Sequence, residues 1–498
     1  MARFSGRAVL GVAFGAAALV FLADLFRWMV VGPIELRLIG KPLPAENRPE
    51  AVALLATLLG LGALAAAGGL RRRRGPTLLA GGLALAVCLA NLRPTPSGDT
   101  APATLLPFAL VRNGQLTFEG TGLASPVLPI ESDPPPYFLV RHGPRVASKY
   151  SPAVGLLATP VLLPAALGRF DARTAGVLEL GKMAAAVLTA LGAACLFAAA
   201  ARLAGRTAAG WATALYVLGT PVLSVLGQSL WLHTGAALGL SLALLALARA
   251  EDDPPWRTGL LVGAGLGLTV ACRPVDVVLS MGVAVALFQV RRRTMGWMLA
   301  TSSGPVLLLL LYQWRIFGSP LTTGYGSEAS MGWTTPLAEG IPGLLVSPGR
   351  GLFLESPVLL LGLVGLLRAG RGSSARWFLP LAVAFAAFVV LMGRWWVWWG
   401  GFSPGNRMLS DGLPFLGLGL ACALRDLWPK RSLRAPVVLL AVVSVATFGL
   451  FTFHALDDPF RSRTMALSDG AAPWEWKSHP LVAVAQELLT PGRARVPR

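Results

Sequence analysis

The chain has 498 residues, 54% of them apolar and 13% charged, where an average soluble domain is about a quarter charged. With a mean hydropathy of +0.63, that excludes an ordinary soluble enzyme and excludes disorder. The formal charge of +19 does not mark a nucleic-acid binder. The basic residues sit in short clusters between long apolar runs rather than on one soluble face.

In chain order, apolar runs predict helices near 8–31, 51–70, 77–93, 175–201, 207–228, 234–250, 258–272, 275–290, 295–314, 353–368, 377–396, 408–424 and 435–455, thirteen in all. Lipid offers backbone groups no water partner, so helices are the economical way to span. The expectation is an all-α, polytopic integral membrane protein. Its N-terminal membrane helices occupy 1–75, its core 76–455 and its tail 456–498. Arg3 and Arg7 precede the first run as in a signal sequence, but the run outlasts a signal core and carries Asp24 and Arg27, which reads as a retained anchor.

Short-loop basic residues set orientation. With the N-terminus cytoplasmic, the clusters at 71–74, 202–206, 249–257, 291–293, 368–376 and 425–434 all fall inside. That places the protein in the inner membrane with an extracytoplasmic active face. Three outer segments follow: 94–174, 315–352 and 397–407. Within the first, 103–112 reads as an amphipathic helix lying on the membrane surface. Residues 151–168, apolar but broken by prolines, read as a half-inserted segment.

The polar chemistry gathers in these outer segments. Asp99, in Ser97-Gly98-Asp99-Thr100, is a carboxylate at the water edge able to take a proton from an alcohol; the same position suits a helix N-cap. Lys149 and Tyr150, after Arg141 and His142, place a cation where a lipid phosphate could lie. Lys182, three residues after Glu179, is a charge inside an apolar run; it is either a phosphate ligand or neutralised by that glutamate. Gln228, Trp231, His233, Arg273 and Asp276 read as satisfied turn residues. Gly324-Tyr325 follows Gly318-Ser319-Pro320, and Arg350 lies between glycines in Ser347-Pro348-Gly349-Arg350-Gly351, where a guanidinium could fork an anion. Trp395-Trp396-Val397-Trp398-Trp399, then Gly400-Gly401 and Arg407, read as an aromatic belt at the membrane edge or as faces for sugar rings. Cys88, Cys195, Cys272 and Cys422 lie in apolar runs without a close pair and read as buried small residues. No Walker lysine, dinucleotide loop or H-E-x-x-H occurs, and no metal ligands stand out.

These motifs, in this order and at these loop positions, resemble the GT-C superfamily of polytopic membrane glycosyltransferases over roughly residues 75–425. The resemblance rests on Gly98-Asp99-Thr100 with Leu105-Leu106-Pro107-Phe108, on Lys149-Tyr150-Ser151-Pro152, and on Gly318-Ser319-Pro320 with Gly324-Tyr325. It continues through Ser347 to Gly351 and Trp398-Trp399-Gly400-Gly401 to Arg407. It implies a donor sugar carried on a polyprenyl phosphate, transferred with inversion to a glycan, lipid or protein acceptor among membrane lipids, without nucleic acid. It makes Asp99 the general base. Arg350, Arg407, Lys149 and Lys182 would neutralise the leaving phosphate, and Tyr150, Tyr325, Trp398 and Trp399 would shape the site. No cofactor is fixed, and a divalent metal is left open. Two features depart from the family pattern: extra helices precede the core, and Asp99 has no paired-acid partner beyond Glu119, Glu131 and Asp133, which are near in sequence alone. The alternatives are a transporter or flippase of lipid-linked sugars, or a non-catalytic membrane scaffold.

Overall fold

The structure, a computed structural model, describes residues 6–31, 37, 38, 41, 42, 48–69, 72, 74–95, 97–369, 375–454, 458–467 and 469–489. The protein is all-α and polytopic. Among the described residues, five stretches are long and apolar enough to cross a membrane: Leu10–Val30, Pro49–Ala66, Gly176–Ala204, Pro274–Phe317 and Arg431–His454. Shorter apolar helices of 10–17 residues, among them Gly75–Leu89, Leu232–Leu247 and Val358–Ala369, stand between them. The chain divides into two compact units. One comprises 1–194, 227–238 and 306–326, the other 195–226, 239–305 and 327–498.

In the first unit, the helices Gly6–Val31 and Arg48–Ala66 pack along small residues: a Cβ on Gly62 would lie 3.4 Å from the Phe14 ring. This is how membrane helices approach without a hydrophobic drive between them. The helix Gly75–Leu89 leads into a one-turn helix at Gly98–Thr100, then directly into Ala101–Asn113. Pro102 sits in that helix's first turn, where its missing N–H costs nothing, and Gly114 closes it at φ 68°.

The expected surface helix at 103–112 is therefore real, but it does not lie on a surface. Every residue from Ala101 to Ala109 is buried. Gly155 of the helix Ala153–Leu167 fits against Ala103 and Leu106, and Gly181 of Gly176–Ala204 fits against Thr104. Reading an apolar stripe could not reveal that both faces are covered.

The helix Ala153–Leu167 carries interior prolines at 160 and 164. At about 1.5 Å per residue its length is roughly 22 Å, short of the ~30 Å hydrocarbon core. Its C-terminal carbonyls are collected by Arg112, which donates to Ala166 O (2.9 Å), Ala165 O (3.0 Å) and Phe170 O (2.8 Å). A guanidinium at a helix C-terminus meets both its unsatisfied acceptors and its dipole. Between these helices runs a hairpin, Leu139–His142 against Arg145–Ser148, with Leu139 opposite Ser148. Gly143 turns it at φ 56°. Glu119 pins the hairpin: its Oε2 accepts the Val146 N–H (2.8 Å), while its Oε1 accepts Thr117 Oγ1–H (2.7 Å). It thus has a structural occupation.

In the second unit, Gly362 approaches Leu416, and Gly365 approaches Gly419, where the helices Val358–Ala369 and Leu413–Leu427 cross. The expected helix over 207–228 is interrupted: Arg206–Leu218 ends before Pro221, and Val222–Leu226 winds as a wider π turn. Proline removes a donor and clashes with the preceding turn, which forces the break. Phe460, Met465 and Ala483 form a buried cluster with Phe448 and Phe451.

Candidate functional site

Asp99 is in the middle of the one-turn helix that joins two longer ones, where the geometry is set locally. Thr100 Oγ1 donates to Ser97 O (2.9 Å), and the Ser97 N–H donates back to Thr100 Oγ1 (3.4 Å). The turn is also hemmed in by rings. A Cβ at Gly98 would stand 2.6 Å from Phe138 Cδ1 and 2.8 Å from the Tyr137 hydroxyl. Glycine at 98 is thus a steric demand of close approach, which gives the Gly98-Asp99 pair a physical meaning.

The Asp99 carboxylate is half-buried, and Tyr150 Oη–H donates to its Oδ1 at 2.7 Å. Such a charge-assisted bond fixes the carboxylate's orientation. Tyr150 directly follows the hairpin: the Lys149 N–H donates to Phe138 O (3.0 Å), and the Tyr150 N–H donates to Ser148 Oγ (2.9 Å). The hairpin thereby carries Lys149 and Tyr150 to Asp99 across about fifty residues of sequence. Tyr325 completes the group. Its ring meets Tyr150 edge-on (centroids 5.8 Å), and Lys149 Nζ lies 4.9 Å from its centroid, within cation–π range. Gly324 lets this loop lie against the chain, since a Cβ there would be 2.6 Å from Lys149 Cα. Four of the residues singled out from sequence, Asp99, Lys149, Tyr150 and Tyr325, are therefore one constellation within one unit.

Lys182 has a different occupation. It is fully buried and pairs with Glu50 (3.3 Å) rather than Glu179, from the first turn of Arg48–Ala66. It also donates to Arg93 O (2.9 Å) and to Asn91 Oδ1. Asn91 Nδ2 donates in turn to Gln228 Oε1 (2.8 Å), and Gln228 Nε2 donates to Cys88 O (3.2 Å). Two hydrogen bonds to protein acceptors and an ion pair with Glu50 thus engage the buried ammonium. The structure places Lys182 at the centre of a buried network. That network anchors the segment leaving Gly75–Leu89, a few residues before Asp99. Glu50 escaped sequence reading; its one signal was a carboxylate opening an apolar run.

Arg350 is likewise engaged by the protein itself. Its side chain is fully buried, and its five N–H groups are spent on carbonyls: Trp399 O (3.0 Å), Gly349 O (2.6 Å), Thr464 O (2.8 Å), Gly401 O (3.3 Å), Ser403 O (2.9 Å) and Met465 O (3.0 Å). No N–H is left to fork a phosphate. The guanidinium instead fastens 399–403 to the tail at 464–465. Asn406 braces the same junction, donating to Leu344 O (2.8 Å) and Arg350 O (2.6 Å).

Trp398 is buried as well; its Nε1–H donates to Glu339 Oε1 (3.0 Å), and its ring fills the space beside Gly343. Its ring presents no open face. Trp399, part-buried, donates to Leu467 O (3.2 Å), whereas Trp396 is exposed. Arg407 is part-buried against Gly400. Arg273 is hydrogen-bonded to Asp411, and Asp276 stands as a second carboxylate 3.7 Å from the guanidinium, with neither of its oxygens accepting a hydrogen bond. No cluster of three or more metal-ligating side chains occurs among the described residues.

No family model matches the chain, and no curated protein does. Among solved structures it is similar to ArnT from Cupriavidus metallidurans in the apo state, at 16% identity and TM-score 0.49, over 80% of this chain and 68% of that one. It is also similar to the Archaeoglobus fulgidus oligosaccharyltransferase tethered with an acceptor peptide, at 12% identity and TM-score 0.49, over 82% of this chain and 56% of that one. For the same organism's AglB with an inhibitory peptide and a dolichol-phosphate, the figures are 13%, 0.43, 76% and 55%. The chain thus spans about two thirds of the ArnT chain and little more than half of the oligosaccharyltransferases.

Proposed function

We propose that the protein is a membrane glycosyltransferase that moves a sugar from a polyprenyl-phosphate carrier to an acceptor hydroxyl on the extracytoplasmic side, with Asp99 as general base. The observation that carries this reading is the 2.7 Å bond from Tyr150 to Asp99, made beside Lys149 and Tyr325. An oriented carboxylate and a nearby ammonium are the two charges such a reaction uses. As the acceptor oxygen attacks the anomeric carbon, its proton passes to the carboxylate. The bond from that carbon to the phosphate oxygen breaks, and the oxygen keeps the electron pair. Attack opposite the leaving group inverts the centre. Lys149 stands to offset the charge growing on the phosphate, the kind of electrostatic help that is often the largest catalytic contribution.

The test incubates purified protein with polyprenyl phosphates bearing mannose, glucose or arabinose and follows release of the free lipid phosphate. One donor is expected to turn over. Asp99→Asn keeps the Tyr150 bond and should insert and fold normally, yet lose about 10²–10⁴ in rate. Full transfer by that variant removes Asp99 from the chemistry, and no turnover of any donor by the wild type removes the reading.

A further inference from the structure

The constellation around Asp99 has an aromatic neighbour that the proton transfer does not use. Tyr137 and Phe138 lie together against the Asp99 turn, edge-on to one another with centroids 5.3 Å apart. The two rings have opposite fates. Phe138 is buried at 9% exposure, while Tyr137 is 61% exposed. Yet the Tyr137 hydroxyl is close enough to Gly98 to forbid a side chain there. A large ring is thus held open to its surroundings next to the residue preceding the candidate base.

The presentation is stiff. Pro134, Pro135 and Pro136 run directly into Tyr137, and three prolines in a row fix the backbone and leave little entropy to lose on binding. Pro136 O then accepts the Leu139 N–H (2.8 Å), and Phe138 O accepts the Lys149 N–H (3.0 Å). Tyr137 is therefore clamped between a proline rail and the strand pair that delivers Lys149 and Tyr150. An apolar ring with a polar tip, rigid and exposed beside a base, matches one ligand chemistry well. A sugar ring has a C–H face that packs on the aromatic face, and hydroxyls at its edge that pair with a phenol.

We propose that Tyr137 is a stacking platform for the sugar ring handled at Asp99, and so a specificity-determining residue. The proposal rests on the reading of Asp99 as the place of sugar transfer. That ring belongs either to the donor or to the acceptor, and the experiment separates the two.

Full-length wild type, Tyr137→Ala and Tyr137→Trp are reconstituted in nanodiscs. Equilibrium binding is measured for polyprenyl-phosphate mannose and for plain polyprenyl phosphate, and KM for octyl mannoside as acceptor. If the donor sugar stacks, Tyr137→Ala weakens the mannose lipid about tenfold and leaves the plain lipid within about twofold, while Tyr137→Trp restores binding. If the acceptor sugar stacks, donor binding holds and the octyl mannoside KM rises about tenfold with kcat kept. Unchanged values in Tyr137→Ala overturn the proposal, leaving Tyr137 a membrane-edge aromatic. An equal loss for plain polyprenyl phosphate also overturns it, as a general distortion. A wild type that binds both lipids alike overturns the reading of Asp99 itself and takes the platform with it.

Discussion

Asp99 and Arg350 sit in comparable sequence surroundings, each a charged residue beside glycine in a loop between apolar helices, and the fold uses them in opposite ways. Around Asp99 the contacts are between side chains: a phenol on the carboxylate and an ammonium over a ring, all part-buried. Around Arg350 the contacts are from one fully buried side chain to six backbone carbonyls. Backbone acceptors are always present and must be satisfied somewhere when buried. A guanidinium that satisfies them is holding chain segments together. A carboxylate oriented by another side chain still has lone pairs to offer. The partner type, more than the charge or the neighbouring glycines, separates the structural ion from the chemical one.

The sharpest way to break this contrast is at Arg350. Replacing it with alanine strands several buried carbonyls at once, each costing about 1–3 kcal/mol. Arg350→Ala should therefore fail to accumulate as folded protein. Arg350→Lys, with three donors for six acceptors, should melt well below the wild type in detergent. A well-folded Arg350→Ala with impaired donor binding would reverse the assignment.

Lys182 comes next. Its loss leaves Glu50 charged and buried without its cation, a change worth about 3–5 kcal/mol. Lys182→Met should lower the melting temperature strongly, and Glu50→Leu added to it should recover much of the loss. If the double variant melts no higher than the single one, the pair is not the source of the stability.

The fold was legible where a physical rule acts on a single segment. Apolar runs give the helices, although the run over 207–228 did not show the break before Pro221. What was hidden depends on segments far apart in the chain. That Ala101–Asn113 is covered on both faces follows from Gly155 and Gly181, whose partners no periodicity reveals. That the tail matters follows from Thr464 and Met465, which offer Arg350 nothing but backbone oxygen. Backbone acceptors carry no residue-type signal at all. At the candidate site the residues themselves were legible, because Lys149-Tyr150 and Gly324-Tyr325 stand out as polar or aromatic groups beside turn residues. Their meeting was not, since it needs the hairpin 139–148 to fold back on the Asp99 turn.

The smallest expected effect tests the other half of the contrast. Tyr150→Phe deletes one hydroxyl and keeps the ring that meets Tyr325, so packing survives. The carboxylate loses a donor that both steadies its charge and fixes its direction. Losing the fixed direction works against transfer, because a base off its line of attack takes the proton poorly. A fall of about tenfold in transfer rate is therefore expected, with melting temperature and donor binding near wild type. A variant that melts as Arg350→Lys does would place Tyr150 among the structural residues and leave Asp99 without its orienting partner.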